Sequence, residues 1–265
     1  MATFIHPSAV VDPAAKLGVD VSIGPFTVVE GNVEIGDGTK IVSHAIIANG
    51  TRMGKRCRIF TGAVIGTIPQ DLKFAGEETI LEIGDDCMIR EYCTINRGTV
   101  AAGRTKIGNR CAILSYGHVG HDCIVGDGII ASNNLGLSGH VEVGNHVGFG
   151  GYAGVAQFVR IGDYSFIGGK SGLNMDVPPY ALFSDANGGA PAIRDINKVG
   201  LERHGFDEDR RRKIKRAYKT LFRSGLTLTE GVNALDEEYK DDADIKLLTN
   251  FIRGSKKGVY GMNVD

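Results

Sequence analysis

A set of aliphatic residues followed by glycine recurs along this chain at separations that are multiples of six: Leu17, Ile23, Ile35, Met53, Ile65, Ile83, Ile107, Val125, Val143, Ile161 and Ile167. The intervening positions of the same phase carry Ile5, Val11, Val29, Ile41, Ile47, Ile59, Ile89, Ile95, Ile113, Val119, Leu137, Phe149, Val155 and Leu173. The phase fails at Asp71, Glu77 and Ala101 and is weak at Ala131. A strict repeat of this kind describes a stack of identical small units, each unable to bury its apolar face alone. Two residues before each aliphatic the chain is small or β-branched, as at Val21, Thr27, Val33, Thr39, Ala45, Thr51, Ala63, Thr105 and Ala153. The pattern predicts a parallel β-helix in which each hexad is a short strand plus a turn. The aliphatic and the small residue point inward, and the glycine after the aliphatic is expected to make the tight bend. Three hexads close a triangular coil of 18 residues, and coils stack at about 4.8 Å. Composition agrees: with no Trp, 11 Phe, 8 Tyr and 38 Gly, the interior must be filled by stacked small aliphatics.

All five cysteines, Cys57, Cys87, Cys93, Cys111 and Cys123, occupy the small inward class. They read as fillers of the solenoid, not as a disulfide framework or a zinc site. The solenoid is expected over residues 1–180, with polar loops ejected at 69–79 and 97–103. Loops thrown out of a solenoid usually mark a functional face. Residues 181–206 read as a Gly/Ala/Pro-bearing connector, and 207–265 as a small helical domain. Within it, "DEDRRRKIKRAYKTLFRSG" runs from an acidic start to a glycine stop. Thr227 and Glu230 form a capping box with Thr227 as N-cap, and a last helix is expected over 242–253.

Basic and acidic residues nearly cancel, 30 against 31, which gives no reason to expect a nucleic-acid partner. The start "MATFIHPSAVV" shows neither a basic n-region nor an apolar h-region, and no long apolar run follows. No signal peptide and no membrane span are expected, and the cytoplasm is the expected compartment.

The stretch "SYGHVGHDCIVGD" sets His118 beside inward-facing Val119, so His118 faces out, and His121 falls at the next corner. One coil on, Gly139 and His140 take the matching corner, and a further coil brings Gln157. His118, His121, His140 and Gln157 therefore line one outer edge over roughly 10 Å. A neutral imidazole beside a carboxylate, here Asp122, suits general base catalysis. A zinc site of the kind found in trimeric solenoid carbonic anhydrases is the rival chemistry, and plain polar corners are the third reading. His44 and His146 face away from this edge and read as surface residues.

"GHVGHDCIVGD", "LSGHVEVG", "IPQDLKFAGE", "IREYCTINRGT", "DVPPY", "NKVGLERHGF" and "RAYKTLFRSG" resemble, in order and over nearly the whole chain, the UDP-N-acetylglucosamine acyltransferase family of lipid A biosynthesis. The resemblance implies a left-handed coil. It also implies transfer of an R-3-hydroxyacyl group from acyl carrier protein to the sugar 3-position of UDP-N-acetylglucosamine, without metal or cofactor. It gives His121 the role of base with Asp122 as its partner, and Gly139 that of backbone donor to the oxyanion. His118, His140 and Gln157 match substrate contacts, Gln70, Asp71 and Lys73 match sugar and phosphate contacts, and Asn197 and Arg203 match nucleotide-binding positions. Gly169 in "FIGGKSG" matches the position that reads acyl length, and a glycine there implies an open groove, with Lys170 beside it. The chain departs from the pattern at Asn96, Ala156, Val199 and His204.

Because aliphatics fill the prism, a second subunit must supply the other wall of a substrate site, and a homotrimer fits both this need and the resemblance. The basic run Arg210, Arg211, Arg212, Lys213, Lys215 and Arg216 offers a docking face for an acidic carrier protein. A related sugar-nucleotide acyltransferase acting on a 3-amino sugar remains an alternative.

Overall fold

The computed structural model describes residues 2–185 and 191–262. Short strands, most of two residues, follow one another around a triangular prism and stack into three sheets of 11, 9 and 8 strands among the described residues. The first sheet runs from Phe4–Ile5 to Ala192–Ile196, the second from Val10–Val11 to Gly172–Leu173, the third from Lys16–Leu17 to Arg160–Ile161. Along the coil, strands pair in parallel with the strand one coil away: His118 lies between Thr94 and Gly136. The architecture is the left-handed parallel β-helix followed by a helical region. Ile23, Ile59, Ile65, Ile89 and Ile95 are wholly buried in columns along the axis.

The bend lies elsewhere than expected. Left-handed backbone falls three residues past the aliphatic, at side-chain-bearing residues such as Phe26 (φ 56°), Asp122 (φ 59°) and His140 (φ 61°). Glycine follows the aliphatic for a different reason, the closeness of the next coil. A Cβ on Gly24 would lie 1.6 Å from the Val42 carbonyl oxygen, and one on Gly36 2.6 Å from the Gly54 carbonyl carbon.

The cysteines are buried and free of disulfides. Cys123 Sγ–H donates to the Ser138 carbonyl at 3.0 Å, and burial pushes the Cys93 thiol up to about 11 and that of Cys123 to about 12. These are protonated fillers.

The strands Val64–Thr67 and Ile80–Ile83 bracket residues 68–79, and Thr94–Asn96 and Arg104–Ile107 bracket 97–103. Both insertions leave the coil at the corner between the second and third sheets, the corner that His121 occupies later in the chain.

The connector is more ordered than its composition suggested. Ala181–Ser184 stacks in parallel on Phe166–Ile167, and Ala192–Ile196 pairs antiparallel with it. Phe183 and Ile193 are fully buried there, closing an end of the core that would otherwise face water. Residues 186–190 of the connector lie outside the described residues.

Four helices follow among the described residues: α1 (Lys198–Arg203), α2 (Glu208–Arg223), α3 (Leu228–Glu238) and α4 (Ala243–Arg253). Asp207 caps α2, Asp242 caps α4, and the reciprocal Thr227–Glu230 box opens α3 as its sequence predicts. Tyr180 Oη–H donates to Asp244 Oδ1 at 3.1 Å, and Tyr218 Oη–H donates to the Pro179 carbonyl, locking the helices onto the "DVPPY" turn.

Candidate active site

After Val119 the chain turns the corner from the second to the third sheet through Gly120, His121 and Asp122. The left-handed backbone at Asp122 folds its carboxylate inward, leaving no side-chain exposure. There Oδ1 accepts from the Thr99 backbone N–H at 2.8 Å, and Oδ2 accepts from the Thr99 hydroxyl at 2.6 Å and faces His121 Nδ1 at 2.8 Å. Burial pushes the Asp122 carboxyl up, but the hydrogen bonds from Thr99 and His121 and the charge of His140 outweigh it and hold it below its ordinary range. An ionised carboxylate accepts only, so the network assigns the proton to His121 Nδ1 and leaves Nε2 with a lone pair.

That Nε2 faces Gly139, where a Cβ would lie 2.6 Å from it. The Gly139 backbone N–H has no acceptor among the described residues, while the next amide, His140 N–H, is engaged by the His121 carbonyl at 2.9 Å. The corner thus pairs an open base with an open donor. The His140 ring meets His121 edge-on at 5.1 Å and stacks on Phe158 at 4.5 Å. His118 Nδ1 is 2.8 Å from the Thr94 hydroxyl. Burial, and then the charge of His121, hold the His118 imidazole below its ordinary range.

On the second-sheet side lies a trough of about 520 Å³ lined by His118, Leu137, Ala156, Leu173 and Tyr260, among others. Its floor is bare because Gly136, Gly154 and Gly172 stand in register beyond His118, with open space where each Cβ would be.

The structure brings some expected residues together and separates others. Gln157 is exposed one coil beyond Gly139 on the same edge. Gln70, Asp71 and Lys73 lie on the first ejected loop, where Lys73 N–H donates to Asp71 Oδ1 at 3.0 Å. Asn96 is buried and its amide donates to the Ile68 carbonyl at 2.9 Å, anchoring that loop. Asn197 caps α1, donates to the Tyr164 carbonyl at 2.9 Å and accepts from Gly200 N–H at 3.1 Å. It therefore sits at the corner between the third and first sheets, with exposed Arg203 and Val199 nearby on α1. His204 packs against His146 there at 4.6 Å, so His146 is half-buried under α1 and not a plain surface residue. Within one chain this group occupies a different edge from His121. Gly169 lies at the remaining corner, outside the trough lining, and a Cβ on it would lie 3.1 Å from the Gly151 carbonyl oxygen.

The basic run on α2 is largely neutralised. Arg210 pairs with Asp244 at 2.7 Å, Arg211 with Glu202 at 3.3 Å, Arg212 with Glu208 at 2.8 Å and Lys215 with Asp195 at 2.6 Å, and Lys213 pairs with Asp242. As a docking face it offers far less charge than its sequence suggests.

Thr99 is the site residue that sequence reasoning missed. The only available signal was that its loop interrupts the repeat one coil before His121. His121, Asp122 and His140 also present three ligand atoms within 4.8 Å of one another. The donor set favours the hydrogen-bonded reading over a metal, because both Asp122 oxygens already face N–H and O–H donors.

Comparisons with known proteins agree with this fold. The family model described as UDP-N-acetylglucosamine O-acyltransferase, domain 2, matches residues 176–260, and the bacterial transferase hexapeptide model matches 14–49. A protein of Xylella fastidiosa named acyl-[acyl-carrier-protein]–UDP-N-acetylglucosamine O-acyltransferase is 49% identical over 97% of this chain and 97% of its own length. One of the same name from Halorhodospira halophila is 45% identical over 97% of this chain and 99% of its own. The crystal structure of UDP-N-acetylglucosamine O-acyltransferase from Moraxella catarrhalis superposes with a TM-score of 0.92 at 43% identity, covering 97% of this chain and 99% of that one. Likeness this close, running from the first coil through the helical tail, makes the chain a member of the UDP-N-acetylglucosamine O-acyltransferase family.

Proposed function

We propose that this protein transfers an R-3-hydroxyacyl group from acyl carrier protein to the 3-hydroxyl of UDP-N-acetylglucosamine, the entry reaction of lipid A biosynthesis. The observation that carries this reading is the buried His121–Asp122 pair, whose open Nε2 faces the open Gly139 N–H beside an apolar trough. His121 Nε2 takes the proton of the sugar hydroxyl as its oxygen attacks the thioester carbonyl carbon. Asp122 stabilises the imidazolium, and Gly139 N–H donates to the oxyanion. Collapse breaks the C–S bond, and the proton on His121 passes to the departing thiolate. No cysteine nucleophile and no metal enters this scheme.

The reading calls for a homotrimer. The residues matched to the nucleotide stand on a different edge of the chain from His121, so a neighbouring subunit would bring its Arg203 to the shared site. Asn197 would act by holding α1. Among the described residues no helix is long and apolar enough to cross a membrane, and we read the enzyme as cytoplasmic because both substrates are water-soluble carriers. An amino group at the sugar 3-position could be acylated by the same base. Purified protein given hydroxyacyl carrier protein with UDP-N-acetylglucosamine or its 3-amino analogue decides between the two. Product from neither acceptor would sink the proposal.

Thr99 would serve as the positioning residue for Asp122. Thr99→Val keeps the backbone donor but loses the hydroxyl. Hydrogen bonds to charged groups contribute about 1.5–3 kcal/mol, so turnover should fall roughly tenfold to a hundredfold. With one donor fewer, Asp122 pulls harder on the His121 proton, and the ascending limb of the pH–rate profile should move to higher pH. Thr99→Ser should restore both. An unmoved limb with lowered turnover would make Thr99 structural only.

A further inference from the structure

Three of the five cysteines form a column that the acyl-transfer scheme does not use. Cys57, Cys87 and Cys111 immediately precede strands of the first sheet in consecutive coils, at its corner with the third. They stand in register. Arg58 pairs with Met88 and Met88 with Ala112, and the Arg58 and Met88 N–H groups donate to the Cys87 and Cys111 carbonyls, each at 2.8 Å. Their thiols share one posture, each donating to the carbonyl of the corner glycine one coil on. Cys57 reaches Gly84 at 3.2 Å, Cys87 reaches Gly108 at 3.1 Å and Cys111 reaches Gly126 at 3.2 Å. All three are buried to 1% exposure or less. Hydrogen bonds with Cys111 and Cys57, and then burial, push the central Cys87 thiol far up, so it rests protonated. Lys55, Arg56, Asp86 and Arg110 at this corner are exposed, so the sulfurs lie one layer below solvent.

Equal posture in register puts neighbouring Cβ atoms, and neighbouring sulfurs, one coil spacing apart, about 4.8 Å. A disulfide joins Cβ atoms about 3.8 Å apart, so an S–S bond would have to draw two coils together by about 1 Å against a packed core. The same gap suits a metal ion in line. A thiolate–metal bond is about 2.3 Å long, and two end to end span about 4.6 Å. Zinc does not match, because it takes four ligands in a tetrahedron and each gap offers two sulfurs. Soft ions that bind two thiolates in a straight line do match, and charge selects among them. With a monovalent ion the pair keeps a negative charge in the apolar interior, whereas with a divalent ion it is neutral. We propose that the Cys57–Cys87–Cys111 column is a site for one soft divalent ion of the mercury(II) type, held linearly between Cys87 and one neighbour. Binding forms two sulfur–metal bonds, releases the two thiol protons to water and changes no oxidation state. One ion enters per chain, because Cys87 belongs to both gaps and its thiolate completes one neutral pair. Cys93 stands between Ala63 and Gly117, and Cys123 between Thr105 and Val141, so each of these offers one sulfur only.

The test titrates the folded protein with mercury(II) chloride in the presence of the monothiol 2-mercaptoethanol and reads the native mass. A second protein thiolate held in place acts at an effective concentration of about millimolar or more, so against about 0.1 mM monothiol it should win by roughly tenfold. The wild type should therefore carry one mercury, less two hydrogens, with no 2-mercaptoethanol on it. Ions on Cys93 or Cys123 should keep 2-mercaptoethanol as their second ligand. Cys87→Ala leaves the outer sulfurs two coil spacings apart, about 9.6 Å, and should abolish the monothiol-free species. Alanine already fills this inward class at Ala45 and Ala63, so the fold should persist, and a thermal melt checks it. Cys93→Ala with Cys123→Ala should leave the monothiol-free species unchanged. No uptake by the folded wild type, uptake only with 2-mercaptoethanol attached, or a monothiol-free species that survives Cys87→Ala overturns the proposal. Loss of two hydrogens in hydrogen peroxide that Cys87→Ala prevents would show a disulfide closing the gap, and would overturn it as well.

Discussion

His121→Ala is expected to slow acyl transfer by about a hundredfold to ten-thousandfold, the range over which a general base contributes, while the coil stays folded. The imidazole stands at a corner, outside the aliphatic columns, and its removal takes one hydrogen bond from Asp122 while both Thr99 donors remain. Stability should therefore fall by no more than about 1–2 kcal/mol. Product formation under single-turnover conditions and a thermal melt on the same preparation separate the two effects. Turnover near that of the wild type would remove His121 from the mechanism. In the wild type the ascending limb of the pH profile should follow one imidazole. Hydrogen bonding holds Asp122 below the ordinary carboxylate range, so it stays ionised throughout that limb and adds no second proton. A limb in the carboxylate range would shift the base role to Asp122.

Gly139→Ala should cost nearly as much for a geometric reason. The added methyl carbon would lie 2.5 Å from His121 Cε1 and 2.6 Å from Nε2, well inside van der Waals contact. Gly139 does not use left-handed backbone, so alanine suits its conformation and the fold should persist. Either the imidazole swings away or the corner shifts, and a misplacement of about 1 Å at a reacting centre costs roughly a hundredfold. We expect kcat to fall by that factor with little change in the KM for the sugar nucleotide. Equal activity would mean that the ring and the glycine are not held against each other as described.

How much of this was legible in the sequence depends on distance along the chain. The six-residue phase placed the buried columns, and its two failures marked both ejected loops, because each property repeats locally. The Thr227–Glu230 box announced a helix start because a cap acts within one turn. Thr99 was not legible: it meets Asp122 across 23 residues, with a loop between them that breaks the count. The long-range ion pairs of the α2 run were hidden for the same reason, since Asp244 is 34 residues from Arg210. The position of the bend was missed because glycine signals both left-handed backbone and close approach, and in this coil the second demand sets the pattern.

The register that carries His118 to Gly136, Gly154 and Gly172 in uniform steps of 18 makes residue number a cylindrical coordinate. The remainder after division gives direction around the axis, and the quotient gives height along it. A deletion of one whole coil would then slide the later residues down without rotating them. Loss of a single hexad would turn everything beyond it by a third of a revolution and send the Gly139 corner away from His121. Insertions escape this rule only when they leave and re-enter at one corner, as residues 68–79 and 97–103 do. Length variation in such a chain should therefore be quantised in whole coils, or confined to loops rooted at a single edge.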